Sequence, residues 1–333
     1  IMLRYQGMQG KQIHYQNGFD AQGLWVEVNV EKDLGLSGKR DIEKYGMDKF
    51  TEKCIERVNH FSKEIVKDSI RLGQWMDWDN SYYTNSDNNI ETLWYFLKEC
   101  YKRGWLKEKY RPMPWCARCG TRLSEHEMAD EYRDVVHTAV FFKLPIEGKN
   151  ADMLVWTTTP WTLSANVALA VNADLDYVEC KVKSSSRNLI VCESAKKVLK
   201  DDLIEVVKTF KGAELVGLTY ETCFPMLSKQ NFEHKIVAWD HVDATEGSGC
   251  VHIAPGCGAE DFDLGQTIGL PNIIPVDENG IFYPDFGFLA GKSAFEVNDL
   301  VFDRLKEAGK LYYTHNYKHR YPFCWRCKNP VIF

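Results

Sequence analysis

Two Cys-x-x-Cys pairs, Cys116 with Cys119 and Cys324 with Cys327, constrain this chain more than any other feature. Each pair forms a tight knuckle presenting two thiolates to one point, and two knuckles complete a tetrahedral four-thiolate site of the kind that holds structural zinc. Ordinary zinc ribbons keep such pairs much closer together, so the residues between must form an inserted domain. A lone pair would be open to redox chemistry. Two pairs, each among basic and aromatic neighbours, favour structural Zn2+, whose ligation then contributes to folding. Cys116, Cys119, Cys324 and Cys327 are the expected ligands.

At 333 residues the chain is long for one core, and two or three domains are expected. A net charge of −6 argues against a protein that coats nucleic acid, although a local groove for RNA is compatible with it. No apolar run approaches a membrane span and no signal-peptide pattern is present, so no membrane partner is expected. Most of the other cysteines stand singly in apolar surroundings (Cys54, Cys100, Cys180, Cys192), the usage of a reduced, cytoplasmic protein. The chain starts inside an element and stops just after a cysteine pair, as a piece cut from something larger would.

Residues 1–110 read as a mixed, helix-rich region. Residues 18–35 run from a glycine-punctuated loop into a helix, and 41–72 is a long helical stretch with apolar Ile42, Tyr45, Phe50, Cys54, Val58, Phe61 and Ile65. Asp87 or Asn88 would cap a helix carrying Ile90, Leu93, Trp94, Leu97 and Tyr101 on one face, stopped by Gly104. Both stripes are expected to be core. Between the knuckles the sequence turns β-rich, with strands expected at 137–144, 153–159, 177–182, 188–192, 235–239 and 250–254. An amphipathic helix over 293–309 and a strand over 311–317 then return the chain to the second knuckle.

Two polar knots interrupt the apolar strands. The first, 155–171, reads VWTTTPWTLSANVALAV: Thr157, Thr158, Thr159 and Thr162 gather around Trp156 and Pro160, with Asn166 one turn further on. Pro160 ends or bends the strand, because it has no N–H to give to a ladder. The second, GSGCVHIAPGCGAED over 247–261, carries His252 on a short strand into a Pro/Gly turn and an acidic helix start at Asp261. Taken singly these are ordinary: a threonine-rich strand, a core histidine, a helix-capping aspartate. No P-loop, GxSxG elbow or strand-borne GxGxxG accompanies them.

The two knots together, WTTTPWTL with AN and then VHIAPGCGAEDF, resemble the editing insertion of the isoleucyl-tRNA synthetases, a branch of the class I enzymes. The related valyl and leucyl enzymes usually carry arginine after the two threonines, so Thr159 and Trp161 favour the isoleucyl branch. The resemblance runs along nearly the whole chain. It implies an α/β multi-domain protein: a β-barrel-like editing domain (136–317) inserted through a zinc-bound stem (111–135 and 318–333) into a partial Rossmann-type nucleotide-binding region (1–110).

It also implies the chemistry. Asp261 matches the aspartate that holds the substrate ammonium, and His252 the histidine lining the side-chain pocket. Thr157, Thr158, Thr159 and Thr162 match the threonines around the terminal ribose and the attacking water, and Asn166 a polar partner beside them. Trp156 would contact substrate. Asp20, in a segment commonly GWDTHGLPVE in the family, would hold the amino acid at the synthetic site, although Ala21, Gln22 and Trp25 depart from that form. Ser164, Ser248 and Cys257 are further departures, and Cys257 bears on the polarity of the pocket rim. The HIGH and KMSKS sequences are absent, so ATP and Mg2+ belong only to the full-length ligase and the chain itself is not expected to charge tRNA. The implied partner is the 3′ end of tRNA(Ile) carrying valine, the implied reaction is hydrolysis of that ester by water, and a monomer is expected. A zinc-stabilised tRNA-binding module without hydrolysis is the competing expectation, and a redox protein using its cysteine pairs is a third.

Overall fold

The computed structural model describes residues 1–333, the side chain of Ser228 apart. The chain divides into two compact units, Ile1–Tyr110 and Arg111–Phe333.

The first unit carries α1 (Met2–Met8), β1 (Gln16–Phe19), α2 (Leu24–Leu34), α3 (Lys39–Tyr45), α4 (Met47–Arg71), β2 (Asp77–Tyr83) and α5 (Asp87–Lys102). β1 and β2 pair in parallel, the arrangement a strand–helix–strand crossover produces. Gly35 ends α2 in the left-handed conformation, as a C-terminal glycine does most easily. Val30, Ile42 and Phe50 form a small core with Tyr45 and Cys54 half-buried against it, so the first half of the 41–72 stripe faces inward as its spacing predicts. The second half is not: Phe61 and Ile65 are exposed. The α5 stripe is a further correction, because none of its residues is buried and Trp94 stays 68% exposed. Its 3.6-residue period specified a helix, but no element of this unit lies over the apolar side.

The second unit contains β3 (Trp115–Cys116), β4 (Thr121–Arg122), α6 (Glu125–Met128), β5 (Tyr132–Pro145), β6 (Ala151–Thr157), β7 (Ala168–Val171), β8 (Asp176–Val182), β9 (Asn188–Cys192), β10 (Leu203–Lys211), β11 (Lys235–Ala238), β12 (Val251–Ile253), α7 (Ala259–Ile268), α8 (Asn298–Glu307) and β13 (Leu311–Pro322). A mixed six-stranded sheet runs in the order β10-β8-β9-β6-β5-β13, and a three-stranded sheet in the order β11-β7-β12. The expected barrel is therefore corrected to two open sheets: β10 and β13 lie at opposite edges of the larger one and do not pair. One core joins both sheets, and β6 is buried on both faces, so its 153–156 segment reads as an unbroken apolar run rather than an alternating one. β5 and β13 continue past the end of β6 as a two-stranded ribbon toward the cysteine pairs. No described helix is long and apolar enough to cross a membrane.

Candidate hydrolytic site and cysteine cluster

β6 ends at Thr157, and Pro160 opens a 3-10 turn over Pro160–Ala165 whose residues are all buried. Proline suits that first helical position, where a missing N–H costs nothing. The turn folds Thr162 back over Thr157, while β12 of the smaller sheet brings His252 against both. His252 Nε2 lies 3.0 Å from Thr162 Oγ1 and 3.5 Å from Thr157 Oγ1. Thr159 joins through its own hydroxyl, 3.3 Å from that of Thr157, and donates its N–H to the same oxygen at 3.1 Å.

Proton counting fixes the imidazole. Thr162 donates its only hydroxyl proton to the Thr159 carbonyl at 2.8 Å, so the contact with His252 is donated by Nε2–H. His252 is 8% exposed, and burial pulls its pKa down to about 4, which keeps the ring neutral at pH 7. Nδ1 is then a bare acceptor, buried and without a partner among the described residues.

Asp261 sits in the first turn of α7, three residues past the loop Pro255–Gly258 that follows β12. Its Oδ2 accepts the Ala254 N–H at 2.8 Å, tying the carboxylate to the strand that carries His252. Burial raises its pKa to about 6; the Ala254 bond opposes that rise and neighbouring Glu260 adds to it. The loop needs glycine: a Cβ on Gly256 would lie 1.9 Å from the Ile273 carbonyl. Cys257, half-buried beside Asp261, has its thiol pushed up by burial.

The other expected residues divide. Thr158 is half-buried and takes no part in the hydroxyl–imidazole chain among the described residues. Asn166 is fully buried, with Nδ2 donating to the Ala168 carbonyl at 2.9 Å and Oδ1 accepting from Tyr220 at 2.7 Å, so its amide is committed to the fold. Sequence reasoning missed Tyr220, which lies 54 residues away and carries no local signal. Trp156 points away from Thr157, as alternation along β6 requires, and packs against Gly247 and Tyr317. A Cβ on Gly247 would sit 2.8 Å from the indole, and its φ of +60° favours glycine in any case. Asp20 belongs to the first unit, exposed just past the C-terminal end of β1, where its Oδ1 accepts the Gln22 N–H at 3.2 Å. Ligands of parallel sheets bind at that end of the strands.

The four cysteines meet although more than two hundred residues separate the pairs. Their sulfurs all lie within 4.8 Å of one another, with Cys116 Sγ and Cys327 Sγ 3.4 Å apart. Four thiolates 2.3 Å from a central ion stand about 3.8 Å apart, so the donor set fits a tetrahedral metal of zinc's size. Each knuckle closes alike: Gly120 donates to the Cys116 carbonyl and Lys328 to that of Cys324, both at 2.8 Å. Both residues adopt positive φ, 63° and 62°. Ser124 and Glu127 form a capping box on α6, and Glu127 also accepts from the Trp325 indole at 3.0 Å and from Arg326, which clamps the second knuckle onto the first.

Residues 1–320 match the family of tRNA synthetases class I (I, L, M and V). The isoleucine–tRNA ligase of Pyrococcus furiosus is 40% identical over 348 aligned residues, covering 100% of this chain and 32% of that protein. The isoleucine–tRNA ligase of Clostridium novyi is 40% identical over 335 residues with the same coverage. The chain thus spans 32% of the length of these curated relatives. Among solved structures, GlLeuRS-CP1 superposes with a TM-score of 0.43 and 12% identity over 54% of this chain and 99% of that one. The P. knowlesi cytosolic leucyl-tRNA synthetase editing domain gives 0.42 and 13% over 56% and 97%. Both likenesses are too loose to argue from.

Proposed function

Starting from a chain that belongs to the class I tRNA synthetases, we propose that its second unit is an editing site that hydrolyses mischarged aminoacyl-tRNA, with valine on tRNA(Ile) as the substrate. The observation that carries this reading is the pairing of a neutral His252, held as its Nε2–H tautomer by Thr162, with a desolvated Asp261 tied to the same strand. An aminoacyl ester presents a free ammonium beside an activated carbonyl. Asp261, with a pKa of about 6, is mostly ionised at pH 7, and an arriving ammonium stabilises the ionised form further.

The same geometry argues against a covalent intermediate. A threonine hydroxyl needs a base to become a nucleophile, and His252 offers Thr162 a proton rather than a lone pair. Water is therefore the attacking group: its oxygen bonds to the ester carbonyl, the bond to the ribose oxygen breaks, and that oxygen takes up a proton. The Thr157 and Thr159 hydroxyls place the water and the ribose. His252 fills the wall that valine reaches and isoleucine overfills.

A second, smaller sieve answers a physical need, since one methylene changes binding in an apolar pocket by roughly 1–3 kcal/mol, a limit established on isoleucyl enzymes themselves. Zn2+ on Cys116, Cys119, Cys324 and Cys327 would tie the stem shut, while ATP and Mg2+ would serve the whole ligase only. A cytoplasmic monomer completes the proposal.

The test is deacylation of Val-tRNA(Ile) and Ile-tRNA(Ile) by this chain. Valine is expected to be released and isoleucine spared, with Asp261→Asn losing the reaction. Equal rates would refute the sieve. tRNA binding with no release of valine would leave a zinc-tied binding module.

A further inference from the structure

One face of β13 carries a continuous ladder of rings that the hydrolytic reading does not use. Tyr313, His315, Tyr317, His319 and Tyr321 alternate along the strand, and Phe323 continues the series, with successive ring centroids 5.5–6.3 Å apart. The five strand residues are half-buried, while Thr314, Asn316, Lys318 and Arg320 on the other face are exposed. His137 of β5 joins the ladder, its Nδ1 3.0 Å from His319 Nε2.

This is not the composition of a sheet face awaiting an apolar partner, because three of the rings are imidazoles and cations stand at both ends. Lys200 Nζ lies 4.1 Å from the Tyr313 ring and the Arg133 guanidinium 4.7 Å from that of Phe323. Glu246, bonded to the Tyr317 hydroxyl at 2.9 Å, is the acidic group at its middle. The Trp156 indole meets Tyr317 edge-on, with centroids 5.1 Å apart. Trp156 Nε1 and His315 Nδ1 have no partner among the described residues. Trp156 shares the ladder's face and Thr157 the opposite one, and β6 stops at Thr157, so a chain following the ladder must pass round that strand end to reach the hydroxyl–imidazole cluster.

Flat rings in series with flanking cations are what single-stranded nucleic acid binds, since bases stack without regard to sequence and phosphates need positive charge. We propose that the β13 ladder is a stacking track for the single-stranded 3′ end of tRNA on its way to the site. The occupant rests on the editing reading, but the binding test does not require hydrolysis.

The probe is a fluorescently labelled single-stranded oligoribonucleotide ending in CCA, titrated with the 1–333 chain and compared with the same strand in a duplex. The single strand binds more tightly than the duplex. Tyr317→Leu and His319→Leu each weaken it about fivefold or more, as loss of a stacked base implies. Tyr317→Phe, which keeps the ring, and Asn316→Ala, on the opposite face, bind as the unaltered chain does. Circular dichroism and bound zinc, unchanged across the series, show that the leucine variants are folded. The track is overturned if those variants bind normally, if Tyr317→Phe loses as much as Tyr317→Leu, or if the duplex is preferred. In a separate arm, 3′-valyl-adenosine is too short to lie along the ladder, so its hydrolysis is unchanged in Tyr317→Leu while that of Val-tRNA falls. No hydrolysis of either substrate by the unaltered chain would sink the editing reading and leave the binding result standing.

Discussion

Acid should act on the site through two groups whose effects oppose each other, and substitution separates them. His252 has its pKa lowered from an ordinary 6.5 to about 4. Between those values the unfolded chain takes up a proton that the folded chain refuses, so this group's contribution to stability falls as pH drops from 6.5 to 4. At 1.36 kcal/mol per pH unit the loss is on the order of 3 kcal/mol. Asp261 is raised from 3.8 to about 6. There the folded chain takes up the proton first, so stability is gained as pH falls from 6 to 4, by a similar amount. The unaltered protein should therefore show a shallow pH profile from this site. Asp261→Asn removes the gain and should lose about 3 kcal/mol relative to the unaltered chain between pH 6.5 and 4, while His252→Gln should gain over the same interval. Urea unfolding at pH 7, 5.5 and 4, followed by circular dichroism and tryptophan fluorescence, measures both, and contributions from the first unit cancel in the comparison. If both variants parallel the unaltered profile, neither group is desolvated and the proton assignment at His252 fails with them.

Metal and framework give the remaining predictions. Metal analysis should find one zinc per chain, and chelation should lower the melting temperature of the second unit and free four thiols to titration; an unchanged melting curve would refute a structural ion. Asn166→Ala should cost about 1–3 kcal/mol of stability, because it strands the buried Tyr220 hydroxyl, yet leave deacylation per folded molecule intact. A lost rate with unchanged stability would return Asn166 to the pocket.

Local sequence was informative where a residue's surroundings are set by its chain neighbours. The 188–192 strand was legible because an uninterrupted apolar run is what a strand buried on both faces requires, and β9 occupies those residues. β10 was not, since Glu205 and Lys208 interrupt its apolar residues and Ile204 and Val207 are exposed on an edge strand. β13 runs on to Pro322, past the expected end at 317, because the ribbon's polar face, Asn316 to Arg320, reads as loop until its partner β5 is known. The 293–309 helix begins only at Asn298; Ser293 bridges to Ile281 and the chain turns before entering α8.

The site shows the same division. Which residue types matter was written in the two knots, but the proton arrangement was not. The contact between Thr162 and His252 spans ninety residues and exists only because β12 pairs with β7, which lies six residues beyond Thr162. That pairing sets His252 opposite Leu169 in register, and a slip of one residue would turn its ring to the other face of the sheet. The chemistry is thus held by backbone register more than by any side chain in the knots. Substitutions that disturb β7, such as a proline at Leu169, should then disable His252 without touching a single polar group in the site.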